Sequence, residues 1–214
     1  MGSLLKHNIQ DLMAKYGLLN YVETGTGLGE CLEYAMRHPF KKLYSVEIYD
    51  EIYETAKQKF DGLSRIYNRE CELFHGQSVA ELVQILKDIQ KSDPVLFFLD
   101  AHFPGADFRY ETYDAVEDDN IRLPLRSELE TIKRHRDTKN DVLIIDDLWL
   151  YEDGEYEAGT LQRHLDKHFP DMDYTKEKLS GGQDIKFVYD LFFESHNVIK
   201  DSRDQGYLIL VPRK

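Results

Sequence analysis

The sequence predicts an α/β fold, an open and mostly parallel sheet wound on both faces by helices. Three observations carry this. Strand-like apolar runs alternate with helical periods from residue 20 to residue 145. Two of those runs, Val95–Leu99 and Val142–Ile145, are apolar without alternation, the pattern of strands buried on both faces. Between the first run and the next helix stands Tyr21-Val22-Glu23-Thr24-Gly25-Thr26-Gly27-Leu28-Gly29. Its glycines permit a tight turn and close approach of a ligand to the main chain, at the place where open α/β sheets bind nucleotide-like molecules.

The elements follow in order. Residues 4–19 carry Leu5, Ile9, Leu12, Met13 and Tyr16 at helical spacing, so a leading helix is expected over residues 1–19. The first strand is expected over residues 20–23. Leu28, Cys31, Leu32, Ala35 and Met36 mark a helix that Pro39 ends. Lys42–Glu47 reads as the second strand, and Asp50 as the cap of a helix bearing Ile52, Tyr53, Ala56 and Phe60. A short third strand lies near residues 72–74, and Ser78 caps the helix carrying Val79, Leu82, Val83, Leu86 and Ile89. The fourth strand ends in Asp100-Ala101-His102. Residues 103–123 are acidic, aromatic and without period, too long for a routine connection, and read as a lid-like insert. A helix from Leu125 ends among Lys133, Arg134, His135 and Arg136, where basic residues complement its dipole. The fifth strand ends in Asp146-Asp147, and a helix is expected over residues 156–168. Lys186–Phe192 and residues 207–211 read as two final strands joined by a polar turn at residues 204–206.

The chain has 214 residues and a formal charge of −13, with a pI near 5.0. The length suits one domain, 1–214, without an internal repeat. The acidity argues against nucleic acid or anionic membranes as partners, since both need a basic footprint. No apolar run is long enough to span a bilayer, and no apolar core follows a basic start, so no secretory leader is expected. Cys31 and Cys71 match no metal spacing and read as ordinary thiols of a reduced, cytoplasmic protein.

The charges around the glycines narrow the ligand. No Lys or Arg occurs between Lys15 and Arg37, while Glu23 and Glu30 flank the turn. Two carboxylates repel a pyrophosphate and suit an ammonium or sulfonium group. Glu30 also stands where the dinucleotide fingerprint has Gly or Ala. Glu47 lies about twenty residues beyond the turn, at the tip of the second strand, where a carboxylate accepts hydrogen bonds from ribose hydroxyls. The competing reading of Glu47 is a surface acid favoured by a helix dipole.

Asp100, His102, Asp146 and Asp147 form a second constellation. Neighbouring buried strands bring them to one edge of the sheet, and unpaired carboxylates there repel one another unless a cation or proton intervenes. An oxygen-rich set suits Mg²⁺, Mn²⁺ or Ca²⁺. The plainer alternative makes Asp146 and Asp147 a helix cap or ion-pair partners of Arg122, Arg126 or Lys133. His102 is either a base or ligand, or a core histidine that orients Asp100. In His164-Leu165-Asp166-Lys167-His168 the two imidazoles sit one turn apart, but a solvated helix face is the better reading.

Glu23-x-Gly25-x-Gly27-x-Gly29 resembles the first motif of class I S-adenosylmethionine-dependent methyltransferases. Leu99-Asp100-Ala101-His102, Pro124-Leu125-Arg126-Ser127-Glu128-Leu129 and Ile144-Ile145-Asp146-Asp147 extend the resemblance over residues 4–150. The acid cluster resembles that of metal-dependent O-methyltransferases, including the macrocin type that acts on sugars, although His102 and a shorter N-terminal region depart from it. The resemblance implies a Rossmann-like, seven-stranded sheet closed by an antiparallel hairpin. It implies a cofactor pocket of Glu23, Thr24, Gly25, Thr26, Gly27, Gly29, Glu47 and Asp100, with Gln77 and Ser78 beside the adenine. It implies Asp100, Asp146 and Asp147 as ligands of a divalent metal, with Asp100 and His102 catalytic. The expected activity is S-adenosylmethionine-dependent O-methylation of a small-molecule or sugar acceptor, assisted by Mg²⁺ or a related cation because a neutral alcohol is a poor nucleophile. Two alternatives stand beside it: an NAD(P)-dependent oxidoreductase on the same layers, and a non-catalytic cofactor-binding protein. Self-association into a homo-oligomer is left open.

Overall fold

A computed structural model of the chain describes residues 3–213. One seven-stranded sheet runs through it in the order β3-β2-β1-β4-β5-β7-β6. β1 (Asn20–Thr24), β2 (Lys42–Glu47), β3 (Glu70–His75), β4 (Val95–Leu99) and β5 (Val142–Ile145) are parallel. β6 (His196–Asp201) and β7 (Tyr207–Pro212) form the antiparallel closing pair, with β7 inserted next to β5. The chain order reverses between β1 and β4, so their carboxyl ends open onto a crevice.

The unalternating apolar runs lie where two-sided burial requires. Val95, Phe97 and Leu99 of β4 face one core, with Leu82, Ile85, Leu129 and Phe192. Leu96 and Phe98 face the other, with Leu32, Met36, Ala56 and Phe60. The first core is covered by α4 (Ser78–Asp88), α6 (Leu125–His135) and α9 (Lys186–Phe192), the second by α1 (Ile9–Tyr16), α2 (Glu30–Met36) and α3 (Asp50–Tyr67). Below the crevice, Arg136 and Asp141 form a buried ion pair at 2.7 Å, and Asp141 also accepts from the Val95 N–H at 2.9 Å, pinning the start of β4.

Several boundaries differ from expectation. The leading segment is a short 3-10 turn, Leu4–Lys6, followed by α1, which Gly17 ends in the left-handed conformation. Tyr49 rather than Asp50 holds the cap position of α3; Asp50 is its first residue, and its carboxylate meets His75 Nε2 at 2.8 Å. Gln77 holds the cap position of α4, so Ser78 is the first helical residue and makes no cap bond. The helix expected over residues 156–168 is shorter, α7 (Leu161–His168), capped by the Thr160 hydroxyl.

The largest correction concerns Lys186–Phe192, expected as a strand and found as α9. A short apolar run has no decisive period. Here Phe187, Val188 and Phe192 bury one helical stripe, and Arg126 and Lys133 of α6 lie over the Phe187 and Phe192 rings. The outer strand is instead the polar His196–Asp201, whose non-core face is solvated because it is an edge. Among the described residues no helix is long and apolar enough to cross a membrane.

Candidate functional site: a glycine turn facing an acid–histidine cluster

β1 delivers Glu23 and Thr24 to the crevice, and the turn then climbs through Gly25, Gly27 and Gly29, all at positive φ. Two of these glycines are required by packing. A Cβ on Gly25 would lie 2.6 Å from the Asp100 carbonyl oxygen, and one on Gly29 would lie 2.3 Å from the Phe60 ring. The space at Gly27 is bounded by the Phe108 ring, at 3.2 Å from such a Cβ. Thr26 is held by its hydroxyl, 2.7 Å from that of Ser45.

Glu23 is buried beneath the turn, accepting from the Tyr21 hydroxyl at 3.1 Å and the Ser45 hydroxyl at 2.6 Å. Burial pushes its carboxyl up to about 8, against the lowering effect of those two donors. Both its oxygens are thus engaged by the protein, which makes Glu23 a brace for the turn as well as a lining residue. Glu47, at the end of β2, accepts from the Gly27 N–H at 3.0 Å and the Tyr49 N–H at 2.9 Å. Burial raises its pKa, and those backbone donors act the other way. Gln77 and Ser78 line the same wall beyond β3.

Across the crevice the loop after β4 carries Asp100 and His102. Nε2 of His102 lies 3.0 Å from Asp147 Oδ2 and 3.4 Å from Asp107 Oδ2, while Nδ1 lies 3.5 Å from Asp100 Oδ1. Burial alone would discharge this imidazole, but Asp147, Asp107 and Asp100 override it and hold its pKa well above the ordinary value. Burial also raises Asp100 and Asp147; Asp146 repels the former, and the charge of His102 pulls both back. Asp147 adopts the left-handed conformation (φ 53°) and Phe103 a still rarer one (φ 39°), strain of the kind that collects where side chains are aimed at a ligand.

Asp100, His102 and Asp147 each present a ligand atom within 4.8 Å of the others, a set able to hold a metal ion. The expected set was Asp100, Asp146 and Asp147. Asp146 is displaced from it because its Oδ1 turns back to accept the Asp147 N–H at 2.7 Å, and its Oδ2 is buried without a partner. The histidine takes its place, and a mixed nitrogen and oxygen set shifts the preference from Mg²⁺ and Ca²⁺ toward Mn²⁺ or Fe²⁺. Of the plainer reading of the two aspartates, Asp147 does hold the cap position of a 3-10 turn, Leu148–Leu150, though without a side-chain cap bond, and the ion pairs fail on geometry. Arg122 pairs with Asp119 and the Lys178 carbonyl, and Arg126 and Lys133 sit over aromatic rings.

Several residues of the site had no sequence signal. Asp107 comes from the insert, where α5 (Asp119–Arg122) is the only helical turn; it accepts from the Tyr113 hydroxyl at 2.8 Å. Burial would raise its carboxyl, yet His102 and Tyr113 hold it at about 2. Phe103, Tyr113 and Trp149 line the cavity, joined by His164, which belongs to the site rather than to a solvated face and packs with its ring centroid 5.2 Å from that of Trp149. Glu128 of α6 is buried beneath Thr24 and Ser78, where burial raises it to about 7 against their hydroxyls. The one available hint was its place in the Pro124–Leu129 motif.

No family model and no curated protein sequence matches this chain. Solved structures do. A proposed caffeoyl-CoA O-methyltransferase from Staphylococcus aureus superposes over 100% of this chain and 85% of its own, with TM-score 0.62 and 11% identity. A methyltransferase from Podospora anserina bound to S-adenosylhomocysteine covers 100% and 80%, with TM-score 0.58 and 15% identity. An O-methyltransferase from Bacillus cereus in complex with S-adenosylhomocysteine covers 96% and 79%, with TM-score 0.56 and 16% identity. At these identities the likeness establishes the fold: the α/β, seven-stranded Rossmann-like sheet of the methyltransferase type.

Proposed function

We propose that this chain transfers the methyl group of S-adenosylmethionine to a hydroxyl oxygen of a small molecule or sugar, with a divalent cation assisting. One observation carries the reading. A single cavity of about 320 Å³ joins the glycine turn, Glu47, Gln77 and Ser78 at one end to Asp100, His102 and Asp147 at the other. The solved neighbours bound to S-adenosylhomocysteine support the cofactor.

The residues fit that cofactor. The glycines keep the turn free of side chains where it lines the cavity, and Gly25 lets its backbone pack directly against the Asp100 carbonyl. Glu47 has acceptor capacity left beyond its two backbone donors, and a carboxylate there receives ribose hydroxyls. Bound here, S-adenosylmethionine supplies an electrophilic methyl on a sulfonium centre. Gln77 and Ser78 would flank the adenine, Asp100 would face the positive end, and Phe108 beside Gly27 would help to shield it from water.

The donor set Asp100, His102 and Asp147 also fits a divalent ion, which when bound acts as a Lewis acid on a coordinated hydroxyl. As ligand or as base, His102 must first lose the Nε2 proton that Asp147 and Asp107 stabilise. A cation held beside Asp147 would weaken that hold and favour loss of the Nε2 proton. The pyridine-nucleotide alternative is disfavoured because, among the described residues, no Lys or Arg lines the cavity to meet a pyrophosphate. The reading carries with it a cytoplasmic protein acting on a small acceptor, neither nucleic acid nor membrane.

The test is calorimetric titration with S-adenosylhomocysteine, followed by turnover of labelled methyl donor over a panel of hydroxyl acceptors, with Mg²⁺ or Mn²⁺ and with EDTA. Micromolar binding is expected. No binding at millimolar ligand removes the cofactor, binding without turnover favours a non-catalytic cofactor-binding protein, and turnover indifferent to EDTA removes the metal.

A further inference from the structure

The lining of the cavity specifies the charge of the molecule that enters it. No Lys or Arg lines it among the described residues, whereas the acidic side chains of Glu30, Glu47, Asp100, Asp107 and Asp147 do, Glu23 being held protonated beneath the turn. Only two imidazoles, His102 and His164, stand among them, and His102 is already surrounded by three of the acids. Two cationic side chains near it are engaged elsewhere: Lys59 on Glu33 and the Leu28 carbonyl, Arg122 on Asp119 and the Lys178 carbonyl. An anion entering such a wall loses its water and gains no counter-charge. Phosphorylated, sulfated and carboxylated acceptors are therefore selected against.

A second observation, independent of the acids, points to a donor-rich ligand. Gln205 is 9% exposed and lines the same cavity beside Trp149, whose N–H its backbone carbonyl accepts at 3.1 Å. Its side-chain Oε1 is buried with no hydrogen-bond partner among the described residues. A buried carbonyl oxygen left unpaired is costly, and a turn of this amide toward the cavity, where an entering N–H or O–H donor would meet it, removes that cost. An ammonium offers donors and no acceptors. Phe103, Tyr113 and Trp149 line the same half, and aromatic rings both cover an apolar body and attract cations.

Resting on the methyltransferase reading, we propose that the acceptor is a small amine-bearing alcohol or phenol, an amino sugar or a hydroxylated arylalkylamine, whose protonated nitrogen is received by Asp107 and the Gln205 carbonyl. Its hydroxyl then faces Asp147 and His102. The positive cofactor and the positive acceptor share one acidic cavity, which explains why carboxylates crowd both ends of it. Asp107 has oxygen lone pairs left after the Tyr113 and His102 contacts, and its side chain is 26% exposed, so it is reachable from the open side.

Two matched series test this, each comparing a cation, a neutral molecule and an anion on one ring. The first is tyramine, 4-ethylphenol and 4-hydroxyphenylacetate; the second is glucosamine, glucose and glucuronate. Each is titrated calorimetrically into the full chain with and without saturating S-adenosylhomocysteine. In at least one series the cation should bind about tenfold tighter than the neutral member, and the anion more weakly than either. Asp107→Asn should erase most of that preference while S-adenosylhomocysteine affinity is retained, which also reports folding; Gln205→Ala, on a different element, should lower cation affinity in the same way. Equal binding by all three members, tighter binding by an anion, or no binding by either cation at millimolar concentration overturns the proposal. Failure of S-adenosylhomocysteine to bind is a separate result that removes the cofactor reading, and the charge preference measured without it still decides the present one.

Discussion

The Gly27 N–H donates to Glu47 Oε2 at 3.0 Å, so the tip of β2 clasps the glycine turn of β1 directly. The carboxylate proposed to receive the ribose thereby also sets the shape of the loop around it. Glu47→Gln should therefore weaken S-adenosylhomocysteine binding by about ten- to a hundredfold, the usual range for losing hydrogen bonds to a charged group. Calorimetry reads this directly. A dissociation constant within about twofold of the wild type would remove Glu47 from the pocket.

The glycines of the turn should separate folding from binding. Gly29→Ala forces a methyl into the Phe60 ring at a φ of 72°, and should lower stability by roughly 2–5 kcal/mol in a denaturant melt. Gly27→Ala meets only the Phe108 side chain, which is free to shift, so its stability cost should stay near ~1 kcal/mol. Its cofactor affinity should nonetheless fall more than tenfold, because the added methyl stands where the ligand approaches. The reverse pattern would place the ligand away from the turn.

Glu23 predicts how stability varies with pH. Its folded carboxyl is raised to about 8 by burial, so the native state holds the proton more tightly than the unfolded chain, where the ordinary value is near 4.5. Stability should be greatest below that lower value and decline as pH rises through about 8. Glu128, raised to about 7, adds in the same direction. Glu23→Gln keeps the shape without the charge and should flatten the decline in melting temperature between pH 5 and 9, an effect on the order of a few kcal/mol. An unchanged slope would show that Glu23 is ionised without penalty in the native protein.

Metal binding should release protons. His102 is held charged by Asp147, Asp107 and Asp100, and an ion takes only a neutral imidazole. Titrating Mn²⁺ in buffers of different ionisation enthalpy should show release of about one proton per ion near neutral pH. Asp147→Asn should abolish tight binding. Binding without proton release, or undiminished binding by the variant, would exclude His102 and Asp147 respectively.

The buried pair of Arg136 and Asp141 bears on the scaffold rather than the site. Arg136→Ala strands a buried carboxylate that also receives the Val95 N–H, and should cost roughly 3–5 kcal/mol in a denaturant melt. An Arg136→Ala, Asp141→Asn double variant should recover part of it, since the charge is then gone.

What the sequence determined by itself was what short-range physics writes into neighbouring residues. Unalternating Val95–Leu99 and Val142–Ile145 demanded two-sided burial, alternate glycines demanded a turn, and acids at strand ends demanded a crevice, and all but Asp146 stand where they were read. What only the tertiary structure decided lay where local pattern is degenerate or a partner is distant. Lys186–Phe192 suits strand or helix equally, and the grip of Arg126 and Lys133 on its aromatic rings, with the core behind it, selects the helix. Asp146 and Asp147 are adjacent and alike in sequence, but a left-handed φ at Asp147 turns one carboxylate toward His102 and leaves the other bonded to its neighbour's N–H. Asp107, Trp149 and Gln205 carry no periodic signal, and they reach the cavity because an insert and two loops converge there. A side chain's direction at a loop is set by contacts made across the fold, and those contacts do not exist until the chain has closed.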